Sequence, residues 1–260
     1  MGQKKIVFSN QKGGVGKTTL TREIGIYLSS LGNRVLVIDL DPQANLTRSL
    51  TDIASYGCHE VLTGQHYDVI EVQPKLFLIS GDIKMAMLEK SLIAEIDAYS
   101  RLKEVLEDKS FLVFDYILID SPPSLGVLTV NAMSAAEYLI IPMHPSLYSM
   151  QGTNDLMATI QKVKKSLNPK LKLIGVIINA FDSIPVISRQ IKEEIENSFS
   201  EKVFKSVLSK SIKIEEAIAK QTGIITLQKC KIKDEIIRIG EELIERLDES
   251  GQVHQSVRVL

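Results

Sequence analysis

The feature that most constrains the fold is a glycine-rich loop between an apolar run and a helical pattern. The run Lys5–Ser9 predicts a buried strand, and the pattern Lys17–Leu31 predicts a helix. Glycines between them let the backbone turn tightly and bring its N–H groups close to an anion. The positive end of the helix faces the same anion. The order strand, glycine loop, helix therefore predicts a phosphate-binding loop.

The residues at the end of this loop carry the side chains that a nucleoside triphosphate requires. Lys17 would place a positive charge near the β- and γ-phosphates, and the Thr18 hydroxyl is suited to bind Mg²⁺. Thr19 lies in the same turn, where it can contact the α-phosphate. The loop residues predicted to bind ATP are Lys12, Gly13, Gly14, Val15, Gly16, Lys17, Thr18 and Thr19.

The loop departs from the common pattern of phosphate loops at its first glycine position, which is Gln11. A second lysine, Lys12, follows it. A lysine at this position is poorly directed at the nucleotide of its own chain, so we expect it to reach the nucleotide of a second copy across a dimer. Lys12 and Lys17 would then both stabilise charge on the transferred phosphoryl group.

Carboxylates follow two other predicted strands. Asp39 and Asp41 come after one strand, and Asp120 comes after another. In open α/β sheets, ligands bind at the carboxyl ends of the strands. We assign Asp39 and Asp120 to Mg²⁺, through water, and Asp41 to the attacking water, because Pro42 fixes it in a loop. An Asx turn that ends the strand is the alternative for the first pair.

Short apolar runs alternate with helical patterns along most of the chain. Runs rich in Ile, Val and Leu are typical of buried parallel strands, and further ones occur at Arg34–Ile38, Leu76–Ile79, Tyr116–Ile119, Tyr138–Ile141 and Leu173–Ile178. Further helices are predicted at Ala98–Asp108, Leu125–Ala135, Met150–Ser166, Val186–Phe199, Lys213–Thr222 and Asp234–Asp248. This alternation predicts an α/β fold with a doubly wound, mostly parallel sheet flanked by helices. We expect one P-loop ATPase domain over residues 1–249 and a flexible tail over 250–260.

These motifs together resemble the ParA family of partition ATPases, in the wider class that includes MinD-type and nitrogenase-iron-protein-type ATPases. The matching segments extend to about residue 182 and are Asn10–Thr19, Val35–Asn45, Tyr116–Gly126, Ile140–Pro142 and Ile177–Asp182. The resemblance implies a Mg²⁺-dependent ATPase, slow without its partner. It also implies the short form of the family, which has no N-terminal DNA-reading domain.

The resemblance further implies what such an ATPase binds. It implies an ATP-induced sandwich dimer, in which Lys12 reaches the phosphates of the other copy, and ATP-dependent, sequence-nonspecific DNA binding. A ParB-type partner protein would stimulate hydrolysis, and Asn179 matches the position where family members contact adenine. The implied process is plasmid partition or chromosome segregation, carried out in the cytoplasm on the nucleoid.

The chain departs from the family beyond Asp182. Similar family members carry an arginine two residues further on that serves DNA binding, and here this position is Ile184. Where family members typically have a basic Pro-Arg-x-x-Arg stretch, this chain has Ser209-Lys210-Ser211-Ile212-Lys213. We therefore expect intact ATP machinery and altered DNA and partner surfaces.

A local excess of lysine nevertheless favours DNA binding. The stretch from Lys202 to Lys233 contains eight lysines and two acidic residues, on a chain whose net charge is −1. Lysines neutralise phosphates without reading bases. We assign DNA contacts to Lys210, Lys213 and Lys220, against the alternative that these lysines only solvate a surface helix.

Two other functions in the same class are less well supported. A MinD-like positioning ATPase, acting on a membrane or on a protein cargo, would need a basic amphipathic terminal helix for membrane binding. The last predicted helix is acidic, so no membrane partner is expected. An iron–sulfur redox ATPase needs cysteines near the nucleotide loops, but the two cysteines, Cys58 and Cys230, lie elsewhere.

Overall fold

In the part of the chain that the structure describes, a seven-stranded sheet forms the centre, in the order β3-β4-β2-β5-β1-β6-β7. The structure, a computed structural model, describes residues 2–146, 152–182 and 186–256, the last six by their backbone alone. The strands are β1 Lys4–Phe8, β2 Val35–Asp39, β3 Ile70–Gln73, β4 Leu76–Ile79, β5 Tyr116–Asp120, β6 Tyr138–Met143 and β7 Lys172–Ile178. All neighbours pair in parallel except β3, which pairs antiparallel with β4 at one edge. The predicted α/β class, with its mostly parallel sheet, is confirmed.

Helices cover both faces of the sheet. Within the described residues they are α1 Lys17–Ser30, α2 Asn45–Leu50, α3 Cys58–Thr63, α4 Met85–Leu92, α5 Arg101–Val105, α6 Val127–Ala135, α7 Thr153–Ser166, α8 Val186–Phe199, α9 Ile212–Ala219 and α10 Lys231–Ser256. Helices α1, α2, α9 and α10 bury their apolar residues against one face, and α3 to α8 against the other. The strands β2 and β5 are buried along their whole length, as strands covered on both faces must be.

The arrangement of β1, β2 and β5 positions the functional site. β5 lies between β1 and β2, and its register places Asp120 beside Asp39 on one side and beside Phe8 on the other. The glycine loop leaves the same end of β1 and leads into α1. Residues at the carboxyl ends of three strands are thereby gathered at one edge of the sheet.

Several elements differ from the sequence-based expectation. All six predicted strands occur, but β3 and the short helices α2, α3 and α4 were not predicted. Helix α10 continues to Ser256, beyond the predicted helix end at Asp248, so the first part of the expected tail is helical. The predicted helix start at Met150 lies outside the described residues, and so does Ile184. None of the described helices is both long and apolar enough to cross a membrane.

Candidate functional site

A cavity of about 680 Å³ opens at the carboxyl ends of the strands. The glycine loop and the start of α1 line one end of it, and α9 with the loop before it lines the other. The residues that line it from the sequence-predicted set are Gly13, Gly14, Gly16, Lys17, Thr18, Thr19, Asp41, Asn179 and Lys210. Its size is that of a small-molecule site. Four of the described residues predicted to bind ATP or Mg²⁺ do not line the cavity: Lys12, Val15, Asp39 and Asp120.

Gly16 and Asn179 fit together at the back of the glycine loop. Gly16 precedes α1 with φ +91, a left-handed conformation that glycine adopts without strain. A Cβ atom there would lie 1.8 Å from Nδ2 of Asn179. That amide nitrogen donates to the carbonyl oxygen of Val15 at 2.9 Å. Asn179 therefore shapes the loop from behind while also lining the cavity.

Lys17 is the cation at the phosphate end of the cavity. It is 6% exposed, and its Nζ donates to the carbonyl oxygen of Lys12 at 3.2 Å. Burial lowers the pKa of Lys17, and the carboxylates of Asp120 and Asp41 act in the opposite direction. A buried ammonium group that is bonded to one carbonyl oxygen and lies in the field of two carboxylates is placed to bind phosphate strongly, because the surrounding dielectric is low.

Thr18 and Asp120 form the part of the site that fits Mg²⁺. The Thr18 hydroxyl donates to Oδ2 of Asp120 at 2.6 Å. The other oxygen, Oδ1, is buried without a hydrogen-bond partner among the described residues, and an unsatisfied buried carboxylate oxygen is costly. Burial, and then the negative charge of Asp39, raise the pKa of Asp120 well above its usual range. A divalent cation would satisfy the free oxygen and favour the ionised carboxylate.

This donor set suits magnesium rather than a metal held by protein alone. Mg²⁺ usually binds one or two carboxylates together with phosphate oxygens and water. The described residues contain no group of three or more His, Cys, Asp or Glu side chains that could hold a metal ion.

Asp39 and Asp41 differ in what their carboxylates contact. Both oxygens of Asp39 accept protein hydrogen bonds, Oδ1 from the Asp41 N–H at 3.1 Å and Oδ2 from the Thr47 N–H at 2.9 Å and hydroxyl at 2.7 Å. Burial raises the pKa of Asp39 to about 6. Asp41 lines the cavity, and its Oδ1 accepts from the Gln43 N–H at 2.9 Å. The Asx turn considered as an alternative is thus present at both aspartates, and Asp41 lines the cavity as well.

Lys12 is not among the described residues that line the cavity of its own chain. Its N–H donates to Oδ1 of Asn10 at 3.0 Å, and its Nζ donates to Oγ of Ser146 at 2.7 Å. Lys12 is half-buried. The two loop lysines therefore differ, because Lys17 lines the cavity whereas the ammonium group of Lys12 is bonded to Ser146.

Sequence reasoning missed most of the opposite wall of the cavity. Helix α9 and the loop before it supply Ser209, Ser211, Ile214, Glu215 and Ile218. Other unassigned lining residues are Arg22, Gln43, Asn45, Arg48, Ser49, Pro123 and Ala180. Gln43, Asn45 and Pro123 lie in segments that carried the family resemblance, although no role was assigned to them. No local motif marks Arg22, Glu215 or Ile218 as lining residues, because the wall is assembled from segments far apart in the chain.

Helix α10 fixes the loop before α9. The carboxylate of Glu235 on α10 is 3% exposed. It accepts from both the N–H and the hydroxyl of Ser209, each at 2.8 Å. The N–H of Lys210 donates to the Phe181 carbonyl oxygen at 3.2 Å. The position of Lys210 at the cavity wall is therefore held from two sides.

The predicted basic stretch is divided by the fold. Lys213 and Lys220 are exposed at the two ends of α9, away from the cavity lining, whereas Lys210 lines the cavity. Two more lysines of the stretch are engaged elsewhere, since Lys231 lies 3.5 Å from Glu235 and Lys233 donates to the Leu227 carbonyl oxygen at 2.8 Å. The lysines of this stretch therefore do not form one continuous exposed patch.

The parallel sheet, the glycine loop and the two aspartate-bearing strand ends together define a P-loop ATPase. A family described as an AAA domain matches residues 3–173. The chain is 36% identical over 218 residues to the chromosome-partitioning ATPase Soj of Thermus thermophilus, which covers 82% of this chain and 84% of Soj. It is 33% identical over 251 residues to the chromosome partitioning protein ParA of Caulobacter vibrioides, which covers 93% of this chain and 94% of ParA. The chain belongs to the ParA/Soj family of partitioning ATPases.

Solved structures with bound nucleotide have the same fold. A plasmid partition protein from Borrelia burgdorferi, bound to AMPPNP, is similar with a TM-score of 0.76 and 25% identity, covering 95% of this chain and 99% of that one. Cobyrinic acid a,c-diamide synthase from Mycobacterium smegmatis, with a bound ATP analogue and magnesium, is similar with a TM-score of 0.75 and 33% identity, covering 84% of this chain and 91% of that one. Nucleotide and Mg²⁺ thus occur in structural relatives of this chain.

Proposed function

We propose that this chain is an ATP-dependent DNA partition ATPase that segregates a plasmid or chromosome. In this proposal ATP closes a sandwich dimer, the dimer binds nonspecific DNA on the nucleoid in the cytoplasm, and a ParB-type partner stimulates a slow, Mg²⁺-dependent hydrolysis that releases it. The observation that carries the proposal is the cavity itself, where a phosphate loop and a wall bordered by exposed lysines meet. Membership of the partitioning family supports it.

The residues at the phosphate end have distinct roles in hydrolysis. Lys17 binds the β- and γ-phosphates and stabilises charge on the transferred phosphoryl group. Thr18 and Asp120 hold Mg²⁺, which when bound neutralises charge on the phosphate oxygens. Asp41 orients the attacking water and accepts its proton. Asp39 holds the Asp41 N–H and Thr47 in position, and it supports Mg²⁺ through water.

The direction of Lys12 supports the dimer. A cation that lies outside the cavity of its own chain can reach the phosphates of a second copy if the two cavities face one another. Its contact with Ser146 would be exchanged for contact with phosphate, which is a stronger hydrogen-bond acceptor for an ammonium group. The dimer would then depend on ATP, because the triphosphate supplies part of the interface.

Nonspecific DNA binding is assigned to Lys210, Lys213 and Lys220. Lysine contacts to phosphates provide affinity without sequence readout. Lys213 and Lys220 are exposed on the outer side of α9, which suits such contacts. Lys210 lines the nucleotide cavity, so it can act in DNA binding only near the cavity mouth.

A gel-shift assay with nonspecific duplex DNA tests the proposal. We expect binding with ATP, and none with ADP or without nucleotide, and we expect the affinity to fall steeply with salt. Lys213→Ala should weaken the shift, and Lys109→Ala, on the opposite face of the sheet, is the matched control. Absence of binding in all three nucleotide states would overturn the proposal and favour a positioning ATPase that acts on a protein cargo.

A further inference from the structure

Helix α1 carries a buried ion pair one turn after the phosphate loop. The side chains of Arg22 and Glu23 are both 0% exposed, and the guanidinium donates to the carboxylate. Burial raises the pKa of Glu23, and the charge of Arg22 opposes that shift. Burying an ion pair costs desolvation energy that well-packed apolar residues would avoid. We therefore infer the role of the pair from the backbone groups that it contacts.

Both members of the pair hold the chain segment that follows α9. Nη2 of Arg22 donates to the carbonyl oxygen of Thr222 at 2.8 Å, and at the limit of hydrogen-bond length to that of Ala217 at 3.4 Å. The Glu23 carboxylate accepts from the N–H of Ile224 at 2.8 Å. The pair thus attaches the end of α9 and the following turn to α1.

The same pair also connects α1 to α2. Nε of Arg22 donates to the carbonyl oxygen of Ser49 at 3.3 Å. Helix α2 begins four residues after Asp41, and its Thr47 is bonded to Asp39. One guanidinium group therefore contacts the segment after the catalytic aspartate and the segment after α9.

Helix α1 begins at the phosphate loop, and α9 has one side towards the cavity and another side exposed to solvent. Arg22 is one turn after Thr18, and both line the cavity. On α9, Ile214 and Ile218 face the cavity, whereas Lys213 is exposed at the outer side. A displacement of α1 when phosphate binds would therefore be passed directly to the helix that bears the exposed lysine.

We propose that the Arg22–Glu23 pair is a positioning device that couples the nucleotide bound at the start of α1 to the position of α9. The pair touches neither phosphates nor DNA in this role. It fixes α9 and residues 217–224 to α1, so that ATP orders the basic outer side of α9. This inference rests on the proposed function for its DNA consequence, but the coupling itself exists without DNA.

Hydrogen–deuterium exchange of residues 212–224, at saturating ATP and without DNA, measures this coupling. In the wild type we expect ATP to slow exchange there by at least about fivefold, the lower end of usual coupling factors. The variant Arg22→Met/Glu23→Leu replaces the pair by apolar residues of similar size. Folded proteins often tolerate such a replacement of a buried ion pair without loss of stability. In it, ATP should still slow exchange in residues 10–19, while the effect at 212–224 falls below about twofold.

Two further variants separate coupling from damage to the fold. Glu23→Gln keeps an acceptor for the Ile224 N–H and should retain part of the ATP effect at 212–224. The matched control is Glu242→Leu/Arg246→Met, which removes a second largely buried Arg–Glu pair, on α10, whose guanidinium also donates to backbone carbonyl oxygens. The control should show the full wild-type effect of ATP.

Two outcomes would overturn the inference. One is an unchanged ATP effect at 212–224 in the Arg22→Met/Glu23→Leu variant, and the other is no ATP effect there in the wild type although residues 10–19 respond. DNA binding, measured by gel shift, is a separate test. If the wild type fails to bind nonspecific duplex with ATP while the exchange results hold, the proposed function fails and the coupling stands.

Discussion

The two ends of the nucleotide cavity are built in different ways. The phosphate end comes from a continuous loop and from single residues at strand ends, where Thr18 is hydrogen-bonded to Asp120 and the charge of Asp120 acts on Lys17. The α9 end comes from segments far apart in the sequence, held by side chains that bond backbone atoms, such as Glu235 to Ser209. Chemistry at the first end depends on local sequence, whereas shape at the second depends on tertiary contacts.

Loss of the cavity cation should have the largest effect on the phosphate end. Lys17→Ala removes the charge that we propose stabilises the transferred phosphoryl group, so hydrolysis should fall on the order of 10³–10⁵-fold, as for other single cations in phosphoryl transfer. Steady-state phosphate release measures it. The fold should persist, because among the described residues the Lys17 side chain makes one hydrogen bond, to a carbonyl oxygen of its own loop. A loss below about tenfold would contradict the role given to Lys17.

Asp41→Asn should separate ATP binding from hydrolysis. The amide keeps the size of the side chain and cannot accept the proton of the attacking water, so hydrolysis should fall roughly 10²–10⁴-fold. ATP affinity, measured with a fluorescent analogue, should change little. Equal loss of binding and hydrolysis would show that Asp41 binds nucleotide and does not activate water.

Thr47→Val tests the network that supports the phosphate end. The change removes the hydroxyl that donates to Asp39 and accepts from the Gly81 N–H at 2.9 Å. Because the Gly81 N–H loses its partner, we expect the free energy of unfolding to fall by about 1–3 kcal/mol. Urea denaturation measures it, with Thr159→Val as the control, since the Thr159 hydroxyl bonds only its own helix at the surface. Equal effects of the two changes would exclude a special role for Thr47.

The α9 end should respond to lysine changes in two distinct ways. Lys213→Ala should weaken DNA binding a few-fold and lower the salt slope by about one, as expected for loss of one phosphate contact. It should leave ATP affinity unchanged, because Lys213 lies outside the cavity. Lys210→Ala should also reduce ATP affinity, because Lys210 lines the cavity. Identical effects of the two changes would remove the distinction between the inner and outer sides of α9.

The phosphate end could be predicted from the sequence because its signals are local. Lys17 and Thr18 are neighbours in a recognisable loop, and Asp41 and Asp120 each follow an apolar strand. The role of Asp39 was harder to predict. Alternation along the strand places it near Asp41, but only the structure reveals that Thr47 and the Asp41 N–H occupy its oxygens.

The α9 end could not be predicted, because its contacts join residues far apart in the sequence and no local pattern indicates them. Arg22 and Thr222 are 200 residues apart, and an arginine in a helical pattern is typical of a solvent-exposed face. Lys210 and Lys213 are indistinguishable by charge, yet one lines the cavity and the other does not. The edge strand β3 was missed for a related reason: its four residues are mostly half-exposed and lack a continuous apolar run.

In the proposed function, the nucleotide and DNA sites belong to one switch. Linkage requires that if ATP tightens DNA binding by some factor, DNA tightens ATP binding by the same factor. The direct measurement is the Kd of a fluorescent ATP analogue for the Asp41→Asn variant, with and without saturating nonspecific duplex. We predict a Kd at least about fivefold lower with duplex. An unchanged Kd would show that the two sites are not coupled.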